Sequence, residues 1–441
     1  EMLEGFSNKG MITVALLFLV SEGIRQSGTL GQVIKKLLPQ GKTTVFKAQL
    51  RILPSVAFIS AFLNNTPVVV IFAPIIKHWA KSVNLPATKF LIPLSYVTIL
   101  GGICTLIGTS TNLVVHGMIL EAGFEGFSMF ELGKVGIFIA IAGIIYIFLF
   151  SKRLLPDARP DTAVPDEEVE EGEKLHRVEA VLGARFPGIN KKLKDFNFQR
   201  HYGAEVKEIK TRNGQRFVTN LDDVVLHEGD TLVVMADDTF IPTWGESSVF
   251  VLLTNGNEPD TTGKKKRWFA LLLLVLMIVG ATVGELPITK EMFPGIKLDM
   301  FFFVSITTII MAWTNLFPAR KYTKYISWDI LITIACAFAI SKAMVNSGVA
   351  DSVAKFIIGL SDDYGPHVLL AMVFIITNLF TELITNNAAA ALAFPLALSI
   401  SAQLGVSPTP FFVVICMAAS ASFSTPIGYQ TNLIVQGIGN Y

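Results

Sequence analysis

The chain has 441 residues, of which 51% are hydrophobic and only 16% charged, with a mean hydropathy of +0.54. Soluble globular chains carry about 25% charged residues, so this composition belongs in a bilayer. The net charge of +1 excludes recognition of nucleic acid or an acidic partner by bulk charge. The three cysteines, Cys104, Cys336 and Cys416, lie in apolar stretches at spacings that suit neither a disulfide framework nor a metal site, and read as small buried apolar residues.

Residues 1–155 form a first membrane unit. A hydrocarbon core about 30 Å thick calls for roughly 20 apolar residues per helix. Such spans are predicted over 9–24, 90–120 and 132–151, the second broken near 105–110. The stretch 54–78 is apolar but interrupted by Asn64-Asn65, which predicts a hairpin that enters the membrane, turns and leaves on the same side. Turn backbone at that depth persists only where it is buried in protein or lines a cavity.

Residues 156–263 break the membrane pattern. Pro156–Glu173 is Pro- and acid-rich and reads as a linker. Arg177–Leu182, Ala204–Thr211 and Thr231–Ala236 are predicted strands, and Asn190–Tyr202 a short helix. Turns are predicted at Asn213-Gly214 and Glu228-Gly229-Asp230. The run Gly188-Ile189-Asn190-Lys191-Lys192-Leu193, then Phe196, Arg200-His201-Tyr202-Gly203 and the strand entry Gly229-Asp230-Thr231-Leu232 resemble a TrkA-C (RCK C-terminal) domain. That resemblance implies a dimerisation module or a sensor with a small-ligand regulator; a plain spacer is the other reading.

Residues 264–441 form a second membrane unit. It has predicted spans at 268–286, 298–317, 327–345 and 408–437, the last broken near 425–430, and a hairpin at 374–399 around Asn386-Asn387. Its landmarks repeat those of the first at an offset of about 320 residues. Leu63-Asn64-Asn65-Thr66 answers to Ile384-Thr385-Asn386-Asn387. The segment from Thr105 through Gly108 and Asn112 to Leu113 answers to that from Thr425 through Gly428 and Asn432 to Leu433, and Ser27-Gly28 to Ser347-Gly348. Paired polar interruptions in two apolar halves mark a transporter built from repeats. Basic residues flank the first hairpin (Lys47, Arg51, Lys77, Lys81) and the insert (Lys152, Arg153, Lys264 to Arg267), which puts both on the cytoplasmic side; the second hairpin then falls outside, near Asp351, Asp362 and Asp363. The predicted fold class is therefore an α-helical polytopic membrane protein of inverted repeats with two re-entrant hairpins, two broken helices and a small cytosolic α/β insert. Two spans of the second repeat and one of the first lack counterparts, which predicts a trimmed core of a longer protein, with the acidic stretch 157–175 the place where internal segments are most readily missing.

Neither polar interruption contains Arg or Lys, so an anion held there must rely on helix N-termini, on Asn amides and Thr hydroxyls, and on co-bound cations. Asn64, Asn65, Thr66, Thr385, Asn386 and Asn387 stand where the second arm of each hairpin begins. Helix capping alone accounts for such residues too. Ser60 and Thr381 stand one helical turn before Asn64 and Thr385. Their hydroxyls, with carbonyls near Asn65, Asn386, Gly108 and Gly428, can close two related sites for a hard cation such as Na⁺. Glu382 lies inside the membrane, as a proton carrier or as structural support; its counterpart in the first repeat is not acidic.

At these residues the chain resembles the divalent-anion:sodium symporter (DASS) family, whose hairpin tips read Ser-Asn-Thr; here they read Asn64-Asn65-Thr66 and Thr385-Asn386-Asn387, with the central Asn kept in both. The resemblance implies a homodimer in the plasma or bacterial inner membrane that works as an elevator, with two sodium sites flanking one anion. It implies sodium at Ser60, Asn65 and Gly108, and at Thr381, Asn386 and Gly428. It implies anion contacts from Asn64, Asn65, Thr66, Thr109, Thr385, Asn386, Asn387 and Tyr429. Relatives with TrkA-C insertions look like sulfate transporters, which favours sulfate. The alternatives are a sodium-coupled dicarboxylate (succinate or malate) transporter, a proton-coupled anion transporter and an anion sensor. A potassium channel lacks its TVGYG-like filter here, and no HExxH, GxSxG or paired-Asp motif sits in the spans to argue for an enzyme.

Overall fold

The computed structural model describes the chain except residues 1–8, 40, 158–174, 184, 213–214, 238–239, 245–248, 255–263, 285, 293–297, 360–364, 427 and 440. The predicted turn Asn213-Gly214, most of the acidic linker, and Asp362 and Asp363 lie outside the described residues.

The first half runs α1 (Lys9–Gln26), α2 (Thr29–Leu37), α3 (Val45–Ser60), α4 (Asn65–Ser82), α5 (Thr88–Gly102), α6 (Ser110–Glu121) and α7 (Gly133–Leu154). After the soluble module the second half runs α8 (Lys264–Gly284), α9 (Met300–Trp313), α10 (Trp328–Asn346), α11 (Val349–Gly359), α12 (Pro366–Leu383), α13 (Asn386–Leu404), α14 (Thr409–Ser420) and α15 (Gln430–Gly439). The helix pairs α3–α4 and α12–α13 each turn within a few residues around the Asn pairs. The helix pairs α5–α6 and α14–α15 are each interrupted by a short irregular segment.

Among the described residues, four helices are long and apolar enough to cross a membrane: α7, α8, α12 and α13. The pair α10–α11, bent by 72°, makes a fifth. That bend falls at Gly348, at φ 72°, and the matching junction of α1 and α2 at Gly28, at φ 69°. Only glycine takes up such left-handed backbone at little cost. The span predicted at 298–317 is shorter than expected: α9 has 14 residues. The Asp299 side chain caps its start by accepting from Phe302 N at 3.1 Å, and Asn315 at φ 51° turns the chain just past its end.

Burial separates two kinds of apolar helix. In α5 every residue but Ile92 and Tyr96 is buried, whereas α7 exposes Ile137, Phe138, Ile141, Ile145, Tyr146 and Leu149. A uniformly apolar helix is either a core element or a lipid-facing one, and both occur here. Lys89, in α5, is 4% exposed; its ammonium donates to Lys152 O at 2.9 Å and to Leu155 O, satisfying the carbonyls that end α7. Trp268, Trp313 and Trp328 stand exposed, as at an interface. Trp79 does not: it is buried, with its indole N–H on Pro39 O at 2.9 Å. Cys336 is exposed on α10 rather than buried.

The soluble module is an antiparallel sheet in the order β3-β2-β4-β1-β5, with β1 His176–Leu182, β2 Glu205–Lys210, β3 Arg216–Phe217, β4 Thr231–Ala236 and β5 Phe250–Thr254. It has its own core of Val178, Phe186, Phe196, Phe198, Tyr202, Leu232 and Phe250. The helix predicted over 190–202 is split. Asn190 is left-handed at φ 61°, Leu193–Asp195 forms a 3-10 turn, and Asn197 starts Phe198–Tyr202 afresh by accepting from Arg200 N at 3.0 Å. The aromatic side chains at 186, 196, 198 and 202 pack on one another, with centroids 4.8 to 6.2 Å apart; that tertiary cluster overrides the local helical pattern.

Candidate functional site

Four helix N-termini meet at the centre of the helical part. α4 starts at Asn65, α6 at Ser110, α13 at Asn386 and α15 at Gln430. Each brings unpaired backbone N–H groups and a partial positive charge. Asn65 Nδ2 donates to the Tyr429 hydroxyl at 2.8 Å, and Thr109 Oγ1 lies 3.4 Å from the same oxygen. Thr66 Oγ1 donates to Gln430 Oε1 at 3.4 Å. Ser110 Oγ and Thr111 Oγ1 lie 3.3 and 3.4 Å from Asn387 Oδ1. The tip of each hairpin thus meets the broken helix of the other half.

Within each half the same bonds recur. Ser60 Oγ lies 2.8 Å from Asn65 Oδ1 and 2.9 Å from Thr98 O. Thr381 Oγ1 lies 2.8 Å from Asn386 Oδ1 and 2.6 Å from Ala419 O. Ser60, Asn65 and Thr381 are wholly buried, and Asn386 nearly so. A hydroxyl has one hydrogen, and at each place it faces two acceptor oxygens. Each cluster therefore holds oxygen lone pairs in surplus, the donor set that a hard cation takes. Asn112 Nδ2 donates to Thr105 O at 2.8 Å and Gly102 O at 3.4 Å; Asn432 Nδ2 donates to Ser422 O at 2.8 Å and Thr425 O at 3.3 Å. These amides tie down the backbone freed between α5 and α6 and between α14 and α15.

Capping accounts for little of this. Thr385 does cap α13, accepting from Ala388 N at 3.4 Å, but Asn64 makes no side-chain cap. Asn65 and Asn386 are the first helical residues of their arms, with side chains turned to Ser60 and Thr381 instead. Asn64 stands apart from the bonded cluster, facing a small cavity with Ser21, Phe62 and Ser110. Gly108 and Gly428 have no room for a side chain: a Cβ on Gly108 would meet Gly102 O at 2.5 Å and Ala61 O at 2.9 Å, and one on Gly428 would meet Ser422 Oγ at 2.1 Å.

Glu382 acts within its own half. Its carboxyl accepts from Phe423 N, Ser424 N and Thr425 N at 3.0, 3.0 and 2.9 Å, and from Thr425 Oγ1 at 2.9 Å. Both oxygens are occupied in holding the irregular segment between α14 and α15, which is the work of structural support. Reasoning from sequence missed the carbonyls of Thr98 and Ala419, which carry no residue signal. It also missed Ser110, Thr111, Gln430 and the clamps Asn112 and Asn432; all five lay within the matched repeat segments, and the recurrence of Asn112 as Asn432 was the available signal.

A family model described as citrate transporter (CitMHS) matches residues 1–405 and 304–440. An uncharacterised transporter of Synechocystis sp. is 28% identical over 100% of this chain and 86% of its own length. A putative sulfur deprivation response regulator of Chlamydomonas reinhardtii is 27% identical over 100% of this chain and 90% of its own. A probable sodium/sulfate cotransporter of the same alga is 33% identical over 60% of this chain and 29% of its own. With its several membrane-spanning helices, its four convergent helix N-termini and relatives that are named transporters rather than enzymes, this chain belongs to the citrate transporter (CitMHS) family of membrane transporters.

Proposed function

We propose that the chain is a sodium-coupled symporter of a divalent oxyanion, with sulfate as cargo. The observation that carries the reading is the twofold recurrence of the hydroxyl–amide–carbonyl cluster, Ser60–Asn65–Thr98 and Thr381–Asn386–Ala419, beside four helix N-termini. In this reading each cluster takes one Na⁺, completed by carbonyls at Gly108 or Gly428. The anion sits between them, held by N–H groups and by Asn65, Thr66, Thr109, Asn386, Asn387 and Tyr429, with Asn64 and Thr385 at the rim. Two cations offset the charge that a divalent anion would otherwise leave unpaired at low dielectric. The name of the 33%-identical relative points the same way.

The two halves are inverted repeats of an elevator that works as a homodimer in the plasma or bacterial inner membrane, and the module is a TrkA-C-type regulatory domain on the cytoplasmic side. The contact of Lys77, at the basic end of the first hairpin, with the module supports that side for both. Uptake of radiolabelled sulfate into proteoliposomes, with and without an inward sodium gradient and with succinate or citrate as competitor, tests the reading. Sodium-dependent uptake that neither carboxylate inhibits is expected. Transport of succinate or citrate in place of sulfate would overturn the cargo, and uptake driven by protons alone would overturn the coupling. A second reading, an anion sensor, is favoured by the name of the Chlamydomonas regulator, which spans the whole of this chain; it requires sulfate binding without flux.

A further inference from the structure

The soluble module does not hang free of the helices that build the site. Lys77, towards the end of α4, donates from Nζ to both carboxylate oxygens of Glu179 on β1, at 2.9 and 2.8 Å. Lys210 reaches the same carboxylate at 3.4 Å. Gln436, on α15, donates from Nε2 to Arg212 O at 2.9 Å. The turn at Gly229 lies so near α15 that a Cβ there would come within 2.6 Å of Leu433 Cδ1, and a Cβ on Gly437 would come within 3.0 Å of Thr231 Oγ1 and 3.2 Å of Val181 Cγ1. The turn is rigid: the wholly buried Asp230 accepts from Arg212 N at 2.8 Å and His227 N at 2.7 Å. Val181 and Leu252 of the sheet belong to the apolar core of the membrane helices, not to that of the module.

The two helices touched are the two whose N-termini face each other across the site. α4 carries Asn65 and Thr66 at its start and Lys77 about 18 Å along; α15 carries Gln430 at its start and Gly437 about 10 Å along. Packed interfaces switch between arrangements rather than deform smoothly, and α4 is packed along its length although Pro74 interrupts its hydrogen-bond ladder. The separation of the module-bound ends therefore governs the contacts at the other ends, Asn65–Tyr429 and Thr66–Gln430.

We propose that the module braces α4 against α15, and that Glu179 is a positioning residue for the cation and anion site, acting through Lys77. The inference rests on the transport reading above and adds to it a strut in the soluble module that touches no cargo. The half-buried Glu179–Lys77 pair is the means by which any ligand or partner of the module would reach the site.

The test uses the full chain in proteoliposomes with Glu179→Gln, Lys77→Met, both together, and Lys210→Met. Glu179→Gln and Lys77→Met should each raise the half-saturating sodium concentration about fivefold with turnover unchanged, the size of an ordinary coupling between sites. The double variant should be no worse than either single, because the two side chains act as one contact. Lys210→Met, which breaks only two pairs inside the module, to Glu179 and Glu208, should keep the sodium dependence of the parent chain. Unchanged half-saturation in both single variants, or additive effects in the double, would overturn the proposal. If the parent chain transports nothing, the transport reading fails by itself, and hydrogen exchange still decides the brace. Amides in the first turns of α4 and α15 should exchange faster in Glu179→Gln, and identical exchange would sink it. Lys77→Met leaves the module's own contacts in place, so it carries the same test should Glu179→Gln not fold.

Discussion

The break between α5 and α6 and the break between α14 and α15 take the same course and are held by different atoms. In the first, the Thr105 hydroxyl donates to Ala61 O, and Gly102 and Gly108 let backbone lie on backbone. In the second, Ser422 stands where Gly102 would, and Glu382 stands where Ala61 would; its carboxyl gathers three backbone N–H groups and the Thr425 hydroxyl. A helix pair interrupted within a packed core must satisfy every backbone group that the interruption frees. One half does so by leaving out side chains and the other by supplying a carboxylate. The first break should therefore fail when a side chain is added, and the second when one is neutralised.

The largest effect is expected where the halves agree. Asn65→Ala and Asn386→Ala should each abolish sodium-dependent sulfate uptake in a chain that stays monodisperse in detergent; near-normal uptake by either would remove that residue from the site. Next comes the carboxylate. Glu382→Gln turns an amide N–H₂ towards backbone donors, and hydrogen bonds to a charged group contribute about 1.5–3 kcal/mol. A lowered melting temperature and weakened uptake should follow, and an unchanged melt would show that the segment 423–425 does not need the charge.

Exchanging the two solutions sharpens the comparison. Gly102→Ser puts a Cβ 2.5 Å from Asn65 Oδ1, so Asn65 must leave Ser60, at a cost of about 1–3 kcal/mol, with a matching rise in half-saturating sodium. Ser422→Gly should cost no more than about 1 kcal/mol, since its buried hydroxyl makes no hydrogen bond among the described residues. A larger loss from Ser422→Gly than from Gly102→Ser would reverse the argument.

The smallest effect concerns pH. Burial pushes the Glu179 carboxyl up, but Lys77, Lys210 and Arg177 outweigh it and hold its pKa at about 2. A depressed carboxylate stabilises fully above its ordinary value of about 4.3 and loses that stabilisation as pH falls towards the folded value. The melting of the docked module should therefore change little on this account above about pH 5. Asp230 runs the other way, because burial raises its pKa, so its contribution falls as pH rises through the folded value. A melting temperature that drops between pH 7 and pH 5 in the parent chain but not in Glu179→Gln would show that Lys77 does not hold the Glu179 carboxyl low.

The sequence by itself determined the membrane class, the two Asn-bearing hairpins and the two interruptions, because apolar length and polar defects are local properties that a bilayer reads directly. It also determined most of the module's strands, through their alternation. Helical spacing set Ser60 under Asn64 and Thr381 under Thr385, whereas the hydroxyls meet Asn65 and Asn386 across the turn, where the spacing of a continuous helix no longer applies. Only the tertiary structure decided that each hairpin tip meets the other half's broken helix, that the carbonyls of Thr98 and Ala419 complete the two clusters, and that Glu382 is consumed by its own loop. It alone placed the module on α4 and α15. Carbonyls look alike in every residue, and contacts between positions some 100 to 360 residues apart depend on how rigid helices pack, which no local pattern records.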